Sequence, residues 1–321
     1  MENNRPKVSI IIPVYNGSNF LTEAINSALS QTYHNIEVLV INDGSNDNGA
    51  TRRIAESFGN KIRYYEKRNG GVATALNLGI REMSGEYFSW LSHDDRYKKD
   101  KIAKEVASLT AKDRNTIVCG GCDVINEKGD FLFSVNPYKE YGEKLNTPLF
   151  ALFNGYINGC CLLIHKSHFE RVGTFDERYP TTQDYDLWFR MMRGQEILFL
   201  NECLVEYREH SEQGSRKLGK KHIDECNDLW VRLLNTVTED EMIQMSGNRL
   251  NFLLQEKKFF ARTSYERAAE LVDDRLSDIV FGGNNIYKLK YEAIVNSTCW
   301  KITGPLRKMA DMVKRRNIKK K

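Results

Sequence analysis

The sequence has no apolar run near the eighteen or so residues that span a bilayer. Its opening residues, Met1 to Lys7, are polar and run directly into a strand-like segment, with nothing like the apolar core of a secretory leader. Together these absences predict a cytoplasmic protein. No internal repeat is visible, and the glycine pair Gly70-Gly71 does not fit a GxGxxG or Walker-type phosphate loop. Cysteine is sparse: seven residues, an odd number, are scattered over the chain. Cys119 and Cys122 have CxxC spacing, but no second pair or histidine cluster follows at zinc-site distance. Buried free thiols are therefore expected rather than a metal or redox centre. The sequon Asn296-Ser297-Thr298 has no use in a chain that is not secreted.

What is present is ordinary for a globular protein. The chain is 41% hydrophobic and 28% charged, and its 321 residues suit one large domain with an appendage, or two domains. The net charge of +4 is unevenly spread. From Pro305 to Lys321 there are eight Lys/Arg and one Asp, so this tail carries about +7 and the rest about −3.

Val8 to Val14 is nearly all apolar, as in a strand buried on both faces. Ser18 is placed to cap a helix with apolar positions Leu21, Ala24, Ile25, Ala28 and Leu29. Ile36 to Ile41 is a second such strand, ended by Asn42-Asp43-Gly44-Ser45. A helix over 50–58, a strand over 61–65, a helix over 72–82 led in by Asn69-Gly70-Gly71, and a strand over 86–91 follow. The last runs into His93-Asp94-Asp95. This β-α-β-α-β-α-β order predicts a mainly parallel sheet with helices on both faces. Ligands bind such sheets beyond the carboxyl ends of the strands, where Tyr15-Asn16, Asp43-Gly44-Ser45 and Asp94-Asp95 all fall. Beyond Thr116 the pattern predicts a hairpin of strands over 116–125 and 130–135, a helix over 145–153 and a strand over 159–165. A helix from Gln183 and two short strands over 196–200 and 204–207 come next. After about Ser215 the chain turns helical and charged. The expected division is a domain over 1–215 and a helical region over 216–321.

Adjacent carboxylates at Asp94-Asp95 repel unless a cation sits with them, and Mg²⁺ or Mn²⁺ takes oxygen ligands shared with substrate phosphates. The plain alternative is a helix cap for a helix over 96–109. Asp43 suits a nucleobase or ribose, or simply an Asx-turn. Asn69-Gly70-Gly71 lets backbone approach a phosphate at a helix start. Thr181 and Asp184 have capping-box spacing; the functional alternative makes Asp184 a general base. The helix dipole would lower its pKa and burial would raise it. His210 is either a surface loop residue or a metal ligand.

Taken together these stretches resemble the large family 2 of inverting glycosyltransferases, of GT-A fold, over roughly residues 6–215. The matching pieces are Val8 to Asn16, Asn42 to Asp47, Asn69-Gly70-Gly71 with Ala75 and Asn77, and Gly85-Glu86-Tyr87 through Leu91-Ser92-His93-Asp94-Asp95. Gly173 to Glu177, Gln183 to Trp188 and Tyr207-Arg208-Glu209-His210 complete the set. The resemblance implies nucleobase and ribose contacts at Pro13, Tyr15, Asn16, Asp43 and Gly44. It implies a nucleotide and donor-sugar lining at Arg68, Asn69, Gly71, Asn77, Ser92, His93 and Asp94. It also implies Mn²⁺ or Mg²⁺ at Asp94 or Asp95 with His210, and a catalytic base at Asp184. The family's usual Asp-X-Asp-Asp here reads Ser92-His93-Asp94-Asp95, a form that some relatives share. The implied reaction is an inverting displacement on a nucleotide-sugar, a UDP-sugar first, by a glycan or lipid-linked glycan hydroxyl in bacterial surface polysaccharide synthesis. Two other classes stand beside it. One is a catalytically silent nucleotide-sugar or glycan-binding module, motivated by Ser92. The other is a sugar nucleotidyltransferase, which would carry a glycine-rich basic loop where this chain has Tyr15-Asn16-Gly17-Ser18.

The tail places Leu306, Met309 and Val313 on one side of a basic helix-like stretch, close after Trp300. Such a segment suits an anionic membrane surface, which predicts a peripheral protein at the cytoplasmic face of the membrane. The alternative is a solvated basic tail, with nucleic acid a weaker partner.

Overall fold

Val8–Val14 (β1) is buried at every position, and it takes the centre of a parallel sheet. In the computed structural model, which describes residues 5–213 and 219–281, β1 lies between Ile36–Asn42 (β2) and Tyr87–Trp90 (β4). Arg63–Glu66 (β3) adds in parallel outside β2, and Ile164–His165 (β8) adds antiparallel to β4. Leu21–Leu29 (α1), Ala50–Ser57 (α2) and Val72–Glu82 (α3) connect the parallel strands. Ser18 does not cap α1; the cap position is Phe20, without a side-chain bond.

A second sheet runs in the order Arg96–Tyr97 (β5), Ile197–Arg208 (β9), Ile117–Ile125 (β6), Phe131–Val135 (β7). The two short strands expected over 196–200 and 204–207 are one bulged strand, β9, parallel to β6 with register shifts at Gly120 to Cys122. The helix expected over 96–109 begins only at Lys101 (α4, Lys101–Ser108), because Arg96–Tyr97 pairs with β9 instead. Asp94-Asp95 is therefore not a helix cap. The helix expected over 145–153 is interrupted at Thr147-Pro148 and resumes at Phe150–Phe153, since proline disfavours helical geometry in the residue before it. The strand expected over 159–165 is a 3₁₀ turn at Gly159–Cys161 followed by β8. Short helices at Tyr138–Tyr141 (α5), Phe150–Phe153 (α6) and Ser167–Val172 (α7) precede Gln183–Met192 (α8).

The helical extension consists of Gly219–Thr236 (α9), Glu239–Ser246 (α10), Arg249–Phe260 (α11) and Glu266–Phe281 (α12). It shares its core with the rest of the chain. Trp230 on α9 meets Phe153 of α6 at 5.8 Å between ring centroids, Tyr185 of α8 at 6.0 Å and Phe259 of α11 at 5.0 Å. One apolar cluster runs from β1 to α12. Among the described residues no helix is long and apolar enough to cross a membrane, and the six cysteines there are free, five of them buried. The expected boundary at 215 and the basic tail over 296–321 lie outside the described residues.

Candidate active site

The loops that end β1 and β2 are tied to one another. Asn16, in a left-handed conformation, donates from Nδ2 to Asn46 Oδ1 at 2.7 Å and accepts from Asn46 N–H at 2.8 Å. Its own N–H donates to Ser45 Oγ. Tyr15 stands 44% exposed beside this knot, while Pro13 is buried within β1. Asp43 turns into the glycine loop. Its carboxylate accepts from Lys67 Nζ at 2.5 Å, from Gly70 N–H at 3.1 Å and from Gly71 N–H at 2.7 Å. Asn69 donates to the Asp43 carbonyl at 2.9 Å. Gly44 has a φ of +69°, and a Cβ there would come within 2.6 Å of Asn69 N, so this crossing of the two loops requires glycine. Arg68, Asn69 and Gly70 are left exposed.

Asn77 is engaged within the fold itself. Its amide donates to Phe175 O and Glu177 Oε1, both at 2.9 Å, and its oxygen accepts from Phe175 N–H at 3.0 Å. Both donors are thus used to clasp the segment before α8 against α3. An aromatic row continues from there: Phe175 meets Trp90 at the end of β4 and Trp188 on α8 edge-on, at 6.1 and 5.6 Å.

Beyond β4 the acidic pair divides. Asp95 is 3% exposed and faces inward. It accepts from Arg208 N–H at 2.8 Å and from the Cys160 thiol at 3.4 Å. Burial, reinforced by Asp94, raises its pKa well above the carboxylate range, and burial likewise raises the Cys160 thiol. Cys160 Sγ in turn accepts from Ser92 N–H at 3.4 Å. Asp94 keeps its side chain 15% exposed, and its Oδ2 lies 2.9 Å from His210 Nε2. His210 is oriented by Phe20, whose ring centroid is 5.0 Å away. His93 packs so closely on Gly17 that a Cβ there would fall 2.2 Å from its ring; burial lowers its pKa.

Sequence reasoning assigned no role to Arg208, which organises this end. The guanidinium is 1% exposed. It donates to Asp94 O and Glu127 O, pairs with Glu23 at 2.8 Å and lies 4.5 Å over the Phe20 ring. A basic residue two before His210 was visible; its partner on α1 was not.

At the start of α8 burial outweighs the hydrogen bonds. The Asp184 carboxylate accepts from Tyr185 N–H at 2.8 Å, yet burial, with Glu225 adding to it, pushes its pKa up to about 6. The Thr181–Asp184 capping box does not form; the cap position is Thr182, without a side-chain bond within its own helix. Asp186, two residues on, is bound by Arg190 and Arg232 at 2.9 and 2.7 Å and is an ordinary structural partner.

Loops beyond the carboxyl ends of a parallel sheet, Asp94 after β4 paired with His210 after β9, and a raised carboxylate at the start of α8 fit a glycosyltransferase of GT-A fold. Residues 9–173 match the model of glycosyl transferase family 2, and the chain belongs to that family. It is 50% identical over 276 residues to an uncharacterized glycosyltransferase of Rickettsia conorii, covering 85% of this chain and 46% of that protein. It thus spans about half the length of that relative, and similarly of those from Rickettsia bellii and Rickettsia felis. With an uncharacterized glycosyltransferase of Rickettsia typhi it shares 42% identity over 94% of this chain and 97% of that one. In fold it is similar to Staphylococcus aureus TarS in complex with UDP-GlcNAc, with a TM-score of 0.60 and 18% identity over 80% of this chain and 74% of that one. It is also similar to a mannosyltransferase from Pyrobaculum calidifontis in complex with GDP-Man and Mn²⁺, with a TM-score of 0.57 and 17% identity over 94% and 83% of the two chains.

Proposed function

We propose that this glycosyltransferase transfers a sugar, with inversion, from a UDP-sugar to a hydroxyl of a glycan or lipid-linked glycan in bacterial surface polysaccharide synthesis. The observation that carries the reading is Asp184, a carboxylate at a helix start whose burial raises its pKa to about 6. That suits a base working near neutral pH. Asp184 takes the proton of the acceptor hydroxyl, and the oxygen attacks the anomeric carbon from the side opposite the nucleotide. The bond to the diphosphate breaks, and the nucleoside diphosphate leaves.

Asp94 and His210 are the residues that would hold Mn²⁺ or Mg²⁺. Among the described residues no group of three or more His, Cys, Asp or Glu forms a closed site. Two protein ligands fit a hard cation that completes its shell with substrate phosphates and water. Such a cation supplies positive charge to the leaving diphosphate. Tyr15, Asn16 and the exposed Arg68-Asn69 edge are the groups offered to the nucleotide. The glycine loop is braced for it by Asp43. The sugar nucleotides bound by two proteins of the same fold, UDP-GlcNAc and GDP-Man, support this donor class. In this reading the tail over 296–321 rests on an anionic membrane surface, where lipid-linked acceptors lie.

The test is release of nucleoside diphosphate from UDP-, dTDP- and GDP-sugars, with and without Mn²⁺. Turnover that needs Mn²⁺ and is fastest with a UDP-sugar is expected. Binding of these donors without release under any condition would favour the silent binding module.

A further inference from the structure

The helix that carries the proposed base begins without a cap of its own. The direction in which a helix starts is set by the residues that lead into it, whose N–H groups are usually met by side chains close in sequence. For Thr181 and Thr182, which precede α8, the acceptor comes from α9. Glu225 Oε1 accepts from Thr181 N–H at 3.0 Å, from Thr182 N–H at 3.0 Å and from Thr182 Oγ1 at 2.8 Å. Three bonds on one carboxylate oxygen fix the two residues leading into α8. Asp184 follows directly after Gln183. Trp230, further along α9, packs on Tyr185 from the same helix, so α9 grips α8 at two points.

We infer that Glu225 is a positioning residue for sugar transfer, holding Asp184 at the acceptor from the helical extension, outside the stretch matched by the family model. The inference rests on Asp184 being the base. Its charge is part of its action. The titratable groups facing Asp184 are Glu225 and Cys226 on α9 and neighbouring Tyr185, with Tyr265, ahead of α12, behind Tyr185 and Cys226. Burial raises the Cys226 thiol to about 11 and both phenols well above their usual range, and it lowers His222, one turn before Cys226. Glu225 is the carboxylate that adds to the effect of burial on Asp184, since a like charge favours the protonated acid.

The experiment follows UDP release from UDP-GlcNAc with Mn²⁺, or from the fastest donor of the panel, against pH for wild type, Glu225→Gln and Glu225→Ala. Glutamine keeps an acceptor oxygen for the Thr181 and Thr182 amides but removes the charge. We expect turnover at pH 8 close to wild type and an acid limb of kcat moved to lower pH. Alanine removes all three bonds to Thr181 and Thr182, and kcat should fall roughly 10- to 100-fold at unchanged KM for the sugar nucleotide. An unmoved acid limb in Glu225→Gln, or an unchanged kcat in Glu225→Ala, overturns the inference. Asp184→Asn separates it from its premise. Near-normal turnover there removes both readings, whereas a large loss beside an unmoved Glu225→Gln limb removes only Glu225.

A second readout needs no turnover. The folded pKa of Asp184 is above the unfolded one, so wild type gains stability relative to Asp184→Asn as pH falls through about 6. The difference in thermal midpoint should narrow there, and at lower pH when both proteins also carry Glu225→Gln. The same narrowing in both backgrounds counts against Glu225.

Discussion

Asp43 and Asp184 are both acidic residues at the ends of secondary-structure elements, and the fold treats them in opposite ways. Asp43 ends β2 with a lysine and two backbone N–H groups on its carboxylate. Its charge is matched when the chain folds, and the result is a fixed platform of loops beyond the sheet. Asp184 starts α8 with one short-range N–H bond, and burial raises its pKa to about 6. Its cost is carried by packing around it: the Asn77 clasp and the Trp90–Phe175–Trp188 row. A matched carboxylate organises structure, and a poorly matched one is the better candidate for chemistry.

The largest effect should come from the unmatched side. Asp184→Asn should lower kcat by roughly 10²- to 10⁴-fold, while a thermal-shift titration with the donor still shows binding. Since the substitution removes a charge that burial disfavours, the variant should be at least as stable as wild type at pH 8. A loss of both stability and donor binding would make Asp184 another Asp43. If Asp184 is the base, its carboxylate is the active form, and kcat should fall as pH drops through about 6. An ordinary aspartate would place that limb about two units lower.

Asp94 lies between the two extremes, partly exposed and within hydrogen-bond reach of His210. Asp94→Ala should abolish the Mn²⁺-dependent part of the thermal shift and of nucleoside diphosphate release, and leave the midpoint without metal nearly unchanged. A variant with the same response to Mn²⁺ as wild type would remove Asp94 from the cation. On the matched side, Asp43→Ala should act on stability. It strands two loop N–H groups and takes the carboxylate from Lys67, which keeps Arg68 O and Thr74 Oγ1, at a cost of about 1–3 kcal/mol in urea unfolding. An unchanged midpoint would show that the loop holds itself.

The parallel sheet was legible because β1 and β2 are continuous apolar runs and the turns between elements carry Asn, Asp and Gly. The three polar clusters were legible for the same reason: strand ends can be read, and a parallel sheet puts them on one edge. What stayed hidden depends on distant pairing. Arg96–Tyr97 looked like the start of a helix, and pairing with β9, over a hundred residues later, made it a strand. Asn77 looked like a ligand residue, and its partners Phe175 and Glu177 are about a hundred positions away. Glu23 and Glu225 belong to helices whose local pattern says only that they are amphipathic. The competition at Asp184 between helix dipole and burial required the packing itself.

The smallest effect should come from Asp95, and it tests whether adjacent carboxylates really divide their labour. Asp95 Oδ1 receives Arg208 N–H, and Oδ2 faces the Cys160 thiol. In Asp95→Asn the amide oxygen can still accept from Arg208, and the amide NH₂ meets a sulfur that accepts weakly. The exchange should cost less than about 1.5 kcal/mol and leave the affinity for Mn²⁺ in a thermal-shift titration within error of wild type. If Asp95→Asn instead weakens Mn²⁺ as much as Asp94→Ala, the inward carboxylate must turn outward when the cation binds. Arg208, whose backbone N–H Asp95 now holds, would then have to release it, and the acidic pair would act as one ligand set rather than as a ligand beside a strut.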